Sequence, residues 1–589
     1  MWVDSTSVPI NPDKKKLLSE VAMVFRSFAG TWPRRVSRIS VRVFGGIFGG
    51  ALRLSGTTAI LLSAPLMFGL PTVVPAQTTV AFEVGSRAGA FSVAVAEAAS
   101  GDSSVEDFYR ETNYAPIWTA DDQAGRRRAL LAVLSKAGAH GLPIRRYDPS
   151  RLIAAFRAAR TEGDRGRLDV MMTLAMLDYA RDVQTGVLVP GDVASGIVRN
   201  VPVRDRSGNL AAFVASDPTT FLDALPPGSQ AYAQLMKARL DLEALSAGKG
   251  WGPEVAAKSL KPADTGPAVL QLRDRLVAMQ YLPRSATASY DASVQKAVQA
   301  FQADHGLEAD GIAGQGTIAE INVSPVKRLQ SVLVAMERER WMNFDRGDRY
   351  IWVNLTDFTA KIIDKGKVTF ATRSVIGKNT PDRQSPEFSD EMEYMAVNPT
   401  WNVPRSITTR EYLPQMQKDP NAVGQLKLFD SRGRAVARGN INFNAYTARN
   451  FPFSMKELPS RNNALGLVKF MFPNPYNIYL HDTPTKSLFR REVRAFSHGC
   501  IRLGDPFDFA YALLAPQSAD PKAEFQAVLA TGKETHIMLK KPVPVHLVYF
   551  TAYPSDKGKM EYRRDVYGRD AAIFRALSDA GVVPGEQQG

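Results

Sequence analysis

At Tyr350 the hydrophobic period of this chain changes, and that change constrains its architecture more than any other feature. Before it, apolar residues recur at helical spacing: Leu130, Leu131, Val133 and Leu134 in ALLAVLSKAGAHGLPIRRYD, then the run LDVMMTLAMLDYARDV. After it, YIWVNLTDFTAKIIDKGKVTFATRSVIG alternates and is rich in β-branched and aromatic residues, with Asp364 to Gly366 as a turn. A period near 3.6 builds helices, and a period of 2 builds half-buried strands. The strand pattern returns in MEYMAVNPTWNVP, VKFMFP, YNIYLHD, AFSHGCIRL, HIMLKKPVPVHLVYFTAY and KMEYRRDVY. Short strands joined by polar turns predict a β-rich sandwich or barrel behind a helical region, hence a multidomain α+β chain.

A Gly/Lys/Pro-rich passage, SAGKGWGPEVAAKSLKPADTG, marks a boundary near residues 246–266. Residues 77–255 therefore read as a helical scaffold without a cluster of catalytic residue types, His140 being a capping or surface histidine. Residues 256–323 form a compact helical unit. Leu270, Leu272, Leu276 and Met279 suit one buried helix face, and Val294, Val298 and Phe301 the next. Asp310-Gly311 supplies a turn, Gly316-Thr317 opens a last helix, and His305 stands at a helix end. Residues 324–349 read as a scaffold helix with Leu329, Val332, Leu333 and Met336 as its stripe. The strand domain occupies residues 350–550, and residues 551–589 follow as a C-terminal extension. Within the strand domain, residues 405–460 look helical and then irregular, a length that suits a lid.

Residues 1–76 hold six of the fourteen excess positive charges. The remaining excess is moderate and gives no ground for nucleic-acid binding; an anionic polymer, anionic lipid or a solvated surface accounts for it equally. A basic segment precedes GTTAILLSAPLMFGL (residues 56–70), which is short for a transmembrane helix and broken by Pro65. Val74-Pro75-Ala76 suits cleavage before Gln77. Residues 1–76 thus read as an export signal, or as an inner-membrane anchor if retained.

The chain has one cysteine in 589 residues. In an exported protein it cannot form an internal disulfide, so the thiol calls for burial or a job. If FSHGCI is extended, His498 and Cys500 project together, with Gly499 opening the backbone to a substrate. Strand alternation cannot place His481, but it ends the apolar run NIYLH, where strands commonly deliver a polar group into a site. A nearby imidazole activates a thiol by accepting its proton or by stabilising the anion, and amides around Gly499 can face a developing oxyanion. One Cys, one base and a glycine-opened turn suffice for covalent acyl transfer, and no cofactor is expected. A zinc site on His481, His498 and Cys500 is the rival, although no fourth-ligand cluster or metal-helix motif accompanies it.

A histidine, fifteen residues and then Ser497-His498-Gly499-Cys500-Ile501-Arg502 resembles the YkuD-type L,D-transpeptidase domain. Gly377 with Thr380-Pro381, NPTWNVP at 398–404, NNALGLVKFMFPN at 462–474 and YLHDTP at 479–484 agree with it. Phe301-Gln302, Asp310-Gly311 and the stretch from Gly314 to Thr317 resemble the three-helix peptidoglycan-binding module. The arrangement looks like the larger, periplasmic YcbB-like branch, in which Arg502 is familiar where many relatives have Asn. The resemblance implies a YkuD-type catalytic domain with a lid insertion, working in the periplasm on peptidoglycan stem peptides. It implies Cys500 as nucleophile, His481 as base and the main-chain carbonyl of Asp482 orienting the imidazole. His498 would support the thiolate and the turn, and the N–H groups of Gly499 and Cys500 would form the oxyanion hole. Arg502, Ser497, Trp401 and Tyr479 would meet substrate, with an internal arginine bridge as the rival role for Arg502. The acceptor stays open between a diamino-acid stem amine, water and a protein amine, as does contact with glycan strands. A non-catalytic wall-binding protein is the remaining alternative.

Overall fold

The computed structural model describes residues 89–284 and 287–582. The export segment expected over residues 1–76 lies outside them. Among the described residues no helix is long and apolar enough to cross a membrane.

The helical scaffold is assembled around Glu162–Thr185, a 24-residue helix opened by a reciprocal cap between Thr161 and Asp164. Helix Ala90–Ala99 packs along it, and Trp118, Leu130, Leu134, Met176, Tyr179 and Phe213 fill the core between helices. His140 is half-buried with its Nδ1 at 3.2 Å from the Tyr232 hydroxyl, which corrects the expectation of a surface or capping residue. Burial beside Arg340 and Arg239 pushes it down to about 4.

Helix Pro325–Trp341 carries the expected stripe but is buried on every side from Val332 to Trp341. It runs through the middle of the fold, so its charged residues must find partners inside. Arg340 pairs with Glu337 at 2.6 Å, and Arg338 bridges Glu387 of the strand domain and Asp570 near the C-terminus. The C-terminal residues are part of this core: Phe550, Ala552, Tyr562, Ile573 and Leu577 pack with Leu329, Val332 and Met336. In the three-helix unit, helices Pro267–Ala278, Ala292–Asp304 and Gln315–Ile321 enclose Leu272, Val298, Phe301 and Ile321. Its Phe-Gln signature is structural: buried Gln302 donates to Asp310, Ile312 and Thr317 and accepts from the Gly311 amide. His305 closes the second helix, buried and stacked on Phe301 at 3.8 Å.

Among the described residues, fifteen strands follow. They are β1 (Arg349–Asn354), β2 (Thr359–Asp364), β3 (Lys367–Gly377), β4 (Phe388–Val397), β5 (Trp401–Asn402), β6 (Lys427–Phe429), β7 (Ala435–Val436) and β8 (Ser454–Glu457). They continue as β9 (Val468–Met471), β10 (Leu480–His481), β11 (Ala495–Ser497), β12 (Ile501–Leu503), β13 (Thr535–Val548), β14 (Ala552–Pro554) and β15 (Met560–Tyr562). Nine of them form one sheet in the order β11-β3-β12-β10-β9-β4-β13-β1-β2. Because β2 also pairs with β3, the sheet closes as a barrel, with β11 appended to the far end of β3. Val353, Val397, Phe470, Leu480, Ile501 and Val545 belong to its core, which helix Pro506–Leu514 extends through Phe509 and Leu513.

The segment expected to turn irregular after its helical start has a fold of its own. Strands β5-β8-β6-β7 make a four-stranded sheet over Val403, Leu413, Met416, Leu428, Phe443 and Phe451.

Candidate active site

The site follows from the register of three neighbouring strands. Parallel β10 and β12 pair Leu480 with Ile501 and His481 with Arg502; antiparallel β9 and β10 pair Phe470 with Leu480 and Lys469 with His481. Val468, Phe470, Leu480, Ile501 and Leu503 all belong to the barrel core. Alternation therefore sends Lys469, His481 and Arg502 to the opposite face, as one row across the sheet. One step along, Tyr479 accompanies His481 and Cys500 accompanies Arg502 on that face. Pairing thus sets His481 diagonally next to Cys500, a relation that the sequence alone could not establish.

A cleft of about 950 Å³ lies over this face, lined by Cys500, His481, His498, Ser497, Arg502, Trp401 and Tyr479 among others. Asp482 and Gly499 stand behind it. His481 is buried, and its Nδ1 is hydrogen-bonded to the Asp482 carbonyl. A carbonyl only accepts, so Nδ1 carries the hydrogen and Nε2 keeps the basic lone pair. The Asp482 carboxylate is engaged elsewhere, accepting from the amides of Leu467 and Thr483 and from Lys486. Burial, then Arg502 and Lys469, push His481 down to about 3 against the opposing pull of the Asp482 and Leu465 carbonyls. The imidazole is therefore neutral at neutral pH, the form a base requires.

Cys500 is half-buried, and its thiol faces the Asn477 carbonyl at 3.5 Å. Burial raises its pKa, while hydrogen bonds from the Tyr479 amide and hydroxyl and the charges of Lys469 and Arg502 lower it. The Tyr479 hydroxyl in turn receives a hydrogen bond from Trp401. The thiol and the neutral imidazole thus share one face of the sheet, with the thiol hydrogen turned to the Asn477 carbonyl.

The turn before the thiol is not extended. Gly499 has φ 116°, and a Cβ there would approach Ile478 Cδ1 to 3.1 Å. The chain bends so that His498 points outward, where its Nε2 donates to Glu411 at 2.9 Å. This corrects two expectations. The His498 imidazole is committed to Glu411 and not to the Cys500 sulfur, and so ties the turn to the 405–460 segment. The Gly499 amide is also occupied, donating to Ser497 Oγ at 3.1 Å, because that hydroxyl clamps the turn by donating to the Cys500 carbonyl at 2.6 Å. The Cys500 amide is the member of the expected donor pair left to meet an oxyanion. Among the described residues no three metal-ligating side chains converge.

Arg502 has no ion pair with its own chain among the described residues, and its buried Nε has no hydrogen-bond partner. An internal bridge is therefore not its role here. Residues beyond the motif also shape the site. Ser385 donates to the Gly499 carbonyl at 2.6 Å and accepts from the Gly377 amide at 3.0 Å. Gly377 has no side chain because the 383–385 backbone crosses it: a Cβ would meet the Arg383 carbonyl at 2.0 Å. Glu411 joins His498 to Arg383, which it meets at 3.0 Å. Lys469 lines the cleft. A lysine between Val468 and Phe470 was the only trace of it in the sequence.

A barrel that presents a cleft-facing cysteine on the same sheet face as a backbone-oriented imidazole is a candidate thiol site. Comparison with known proteins sharpens this class. Residues 348–543 match the YkuD L,D-transpeptidase catalytic domain, residues 103–238 a scaffold domain, and residues 265–321 the "Putative peptidoglycan binding domain". Residues 348–543 therefore belong to the YkuD L,D-transpeptidase catalytic domain family. A "Putative L,D-transpeptidase" of Haemophilus influenzae is 30% identical over 225 residues, 38% of this chain and 45% of that relative. The chain thus spans less than half the length of the relative it matches. A solved L,D-transpeptidase fragment (residues 123–326) from Xylanimonas cellulosilytica is 15% identical, with a TM-score of 0.15, over 50% of this chain and 98% of that one.

Proposed function

We propose that this protein is a periplasmic L,D-transpeptidase that forms 3–3 crosslinks between peptidoglycan tetrapeptide stems through a thioester on Cys500. The observation that carries this reading is the Cys500–His481 pair on one sheet face, with Nδ1 committed to Asp482 and Nε2 left basic.

His481 Nε2 takes the thiol proton as sulfur attacks the carbonyl that joins the L-centre of the diamino acid to the terminal D-residue. The oxyanion meets the Cys500 amide. The imidazolium returns its proton to the leaving amine, D-alanine departs, and the acyl group remains on sulfur. A second stem's side-chain amine then attacks the thioester and yields its proton to Nε2. The thiolate released is reprotonated by the imidazolium, and the 3–3 amide is complete. Arg502 offers an unpaired guanidinium fork to a donor carboxylate, for which its geometry is suited. Water in place of the amine gives a carboxypeptidase, and a protein amine gives wall anchoring. The three-helix unit holds the enzyme near its polymer.

Incubating the purified protein with disaccharide-tetrapeptides and weighing the products tests this reading. The expected product is a crosslinked dimer lighter by one D-alanine and absent with Cys500→Ala. Dimer formation by Cys500→Ala, or none by a folded wild type, contradicts it.

A further inference from the structure

We propose that Lys469 is a positioning residue for the Cys500–His481 pair. Its ammonium, one strand from the imidazole, holds the ring unprotonated and supports the negative charge that develops on sulfur. The inference rests on the acyl-transfer reading above and adds to it a cation that the sequence motif does not contain.

The register pairs Lys469 with His481 on one side of β10, while Arg502 pairs with it on the other. The imidazole is flanked by two cations on the face that lines the cleft. Lys469 Nζ sits 3.9 Å from the centroid of the Tyr479 ring, whose hydroxyl is hydrogen-bonded to Cys500. A lysine serving only the fold would reach solvent or pair with a carboxylate. Lys469 is half-buried and forms no ion pair among the described residues.

Groups packed around it agree. On β4 its neighbour is the uncharged Ala396. Burial lowers the Lys469 pKa, and the Cys500 sulfur, then Glu534, are the groups that pull it back up. The same ammonium lowers both His481 and Cys500, as Arg502 does. The Asp482 carboxylate, the nearest acid to the imidazole in sequence, is neutralised by Lys486. Glu411, which lines the same cleft, is held by Arg383 and His498, so it is engaged at the far side of the cleft and not with Lys469 or Arg502.

The test is the pH profile of Cys500 alkylation by iodoacetamide, an uncharged reagent, in the full-length protein. Wild type, Lys469→Met, Lys469→Arg and His481→Ala are compared, each with a thermal melt. Methionine keeps the length and apolar stem of lysine and removes the charge. With Lys469→Met the alkaline rise should move up by about one pH unit, and alkylation near neutrality should fall about tenfold, the scale set by one nearby opposite charge. The acid limb should also move up, since the imidazole loses a repelling neighbour. Lys469→Arg should stay close to wild type. A Lys469→Met midpoint superimposed on wild type overturns the inference. So does a uniform loss of rate with the midpoint in place, or failure of arginine to restore the midpoint, either of which marks a packing role. A wild-type profile unchanged by His481→Ala contradicts the acyl-transfer reading itself and takes this inference with it.

Discussion

Gly499 occupies a backbone region that costs an L-residue on the order of 1–3 kcal/mol, and the Ile478 methyl leaves little room beside it. Gly499→Ala should therefore keep the fold yet lower the rate of thioester formation by tenfold or more, as measured by rapid quench, because Cys500 is carried by this bend. Ser385 acts on the same turn from behind. Ser385→Ala leaves the buried Gly499 carbonyl and Gly377 amide without their partner, at a cost of about 1–3 kcal/mol. A lower melting temperature together with slower acylation is the expected result; a variant indistinguishable from wild type in both would show that the turn holds itself. At this scale the sequence was uneven. His481, Cys500 and the Asp482 carbonyl were legible because they lie inside one contiguous motif. Ser385 and Lys469 were not, since Ser385 meets Gly499 at a sequence separation of 114 and Lys469 meets His481 across a strand pairing that no local pattern encodes. The outward turn of His498 was hidden for a different reason: alternation describes strands, and Gly499 ends one.

Among elements, the 405–460 segment was read by its length and not by its content. Strands such as β5 and β7 are two residues long, too short for a period of 2 to register, so the segment read as irregular although it closes its own core. Its contact with the thiol turn passes through a single π-helical turn, Thr408–Tyr412, whose Glu411 meets both His498 and Arg383. These contacts are partly exposed, and each is worth about 0–1 kcal/mol. Glu411→Gln should leave the barrel's melting temperature unchanged but speed amide exchange across residues 405–457 and raise KM several-fold. Unaltered exchange in the lid would mean that its own sheet, and not this latch, sets its position. The barrel was more legible: the change of period at Tyr350 announced it, and its closure through a shared β3 required the pairing itself.

For the whole molecule, four of the six histidines are depressed by burial: His140 to about 4, His481 and His546 to about 3, and His305 well below its ordinary value. The unfolded chain binds protons on these groups below about pH 6.5, whereas the folded chain does not, so stability falls as pH falls through that window. Asp570, raised to about 6 by burial, works in the opposite sense as one group against four. Melting temperature should therefore drop steadily from pH 6.5 towards pH 4; a flat or rising curve contradicts the buried, neutral placement of these rings. His305 couples this behaviour to the binding unit, since it stacks on Tyr562 of β15 while Asp304 meets Lys559 at 2.9 Å. The C-terminal residues, which read as an extension, are in fact the cement between helix Pro325–Trp341 and the barrel, a role visible only once Ile573 and Leu577 are seen buried. The proposed function turns on one event at one atom, acylation of the Cys500 sulfur. Intact-mass spectrometry of protein quenched during turnover with a tetrapeptide stem tests that event directly. An adduct equal to the acyl part of the donor, mapped to the peptide bearing Cys500 and missing from Cys500→Ala, is the predicted result. Product formation with Cys500 unmodified at every time point, or undiminished in Cys500→Ala, would contradict the account.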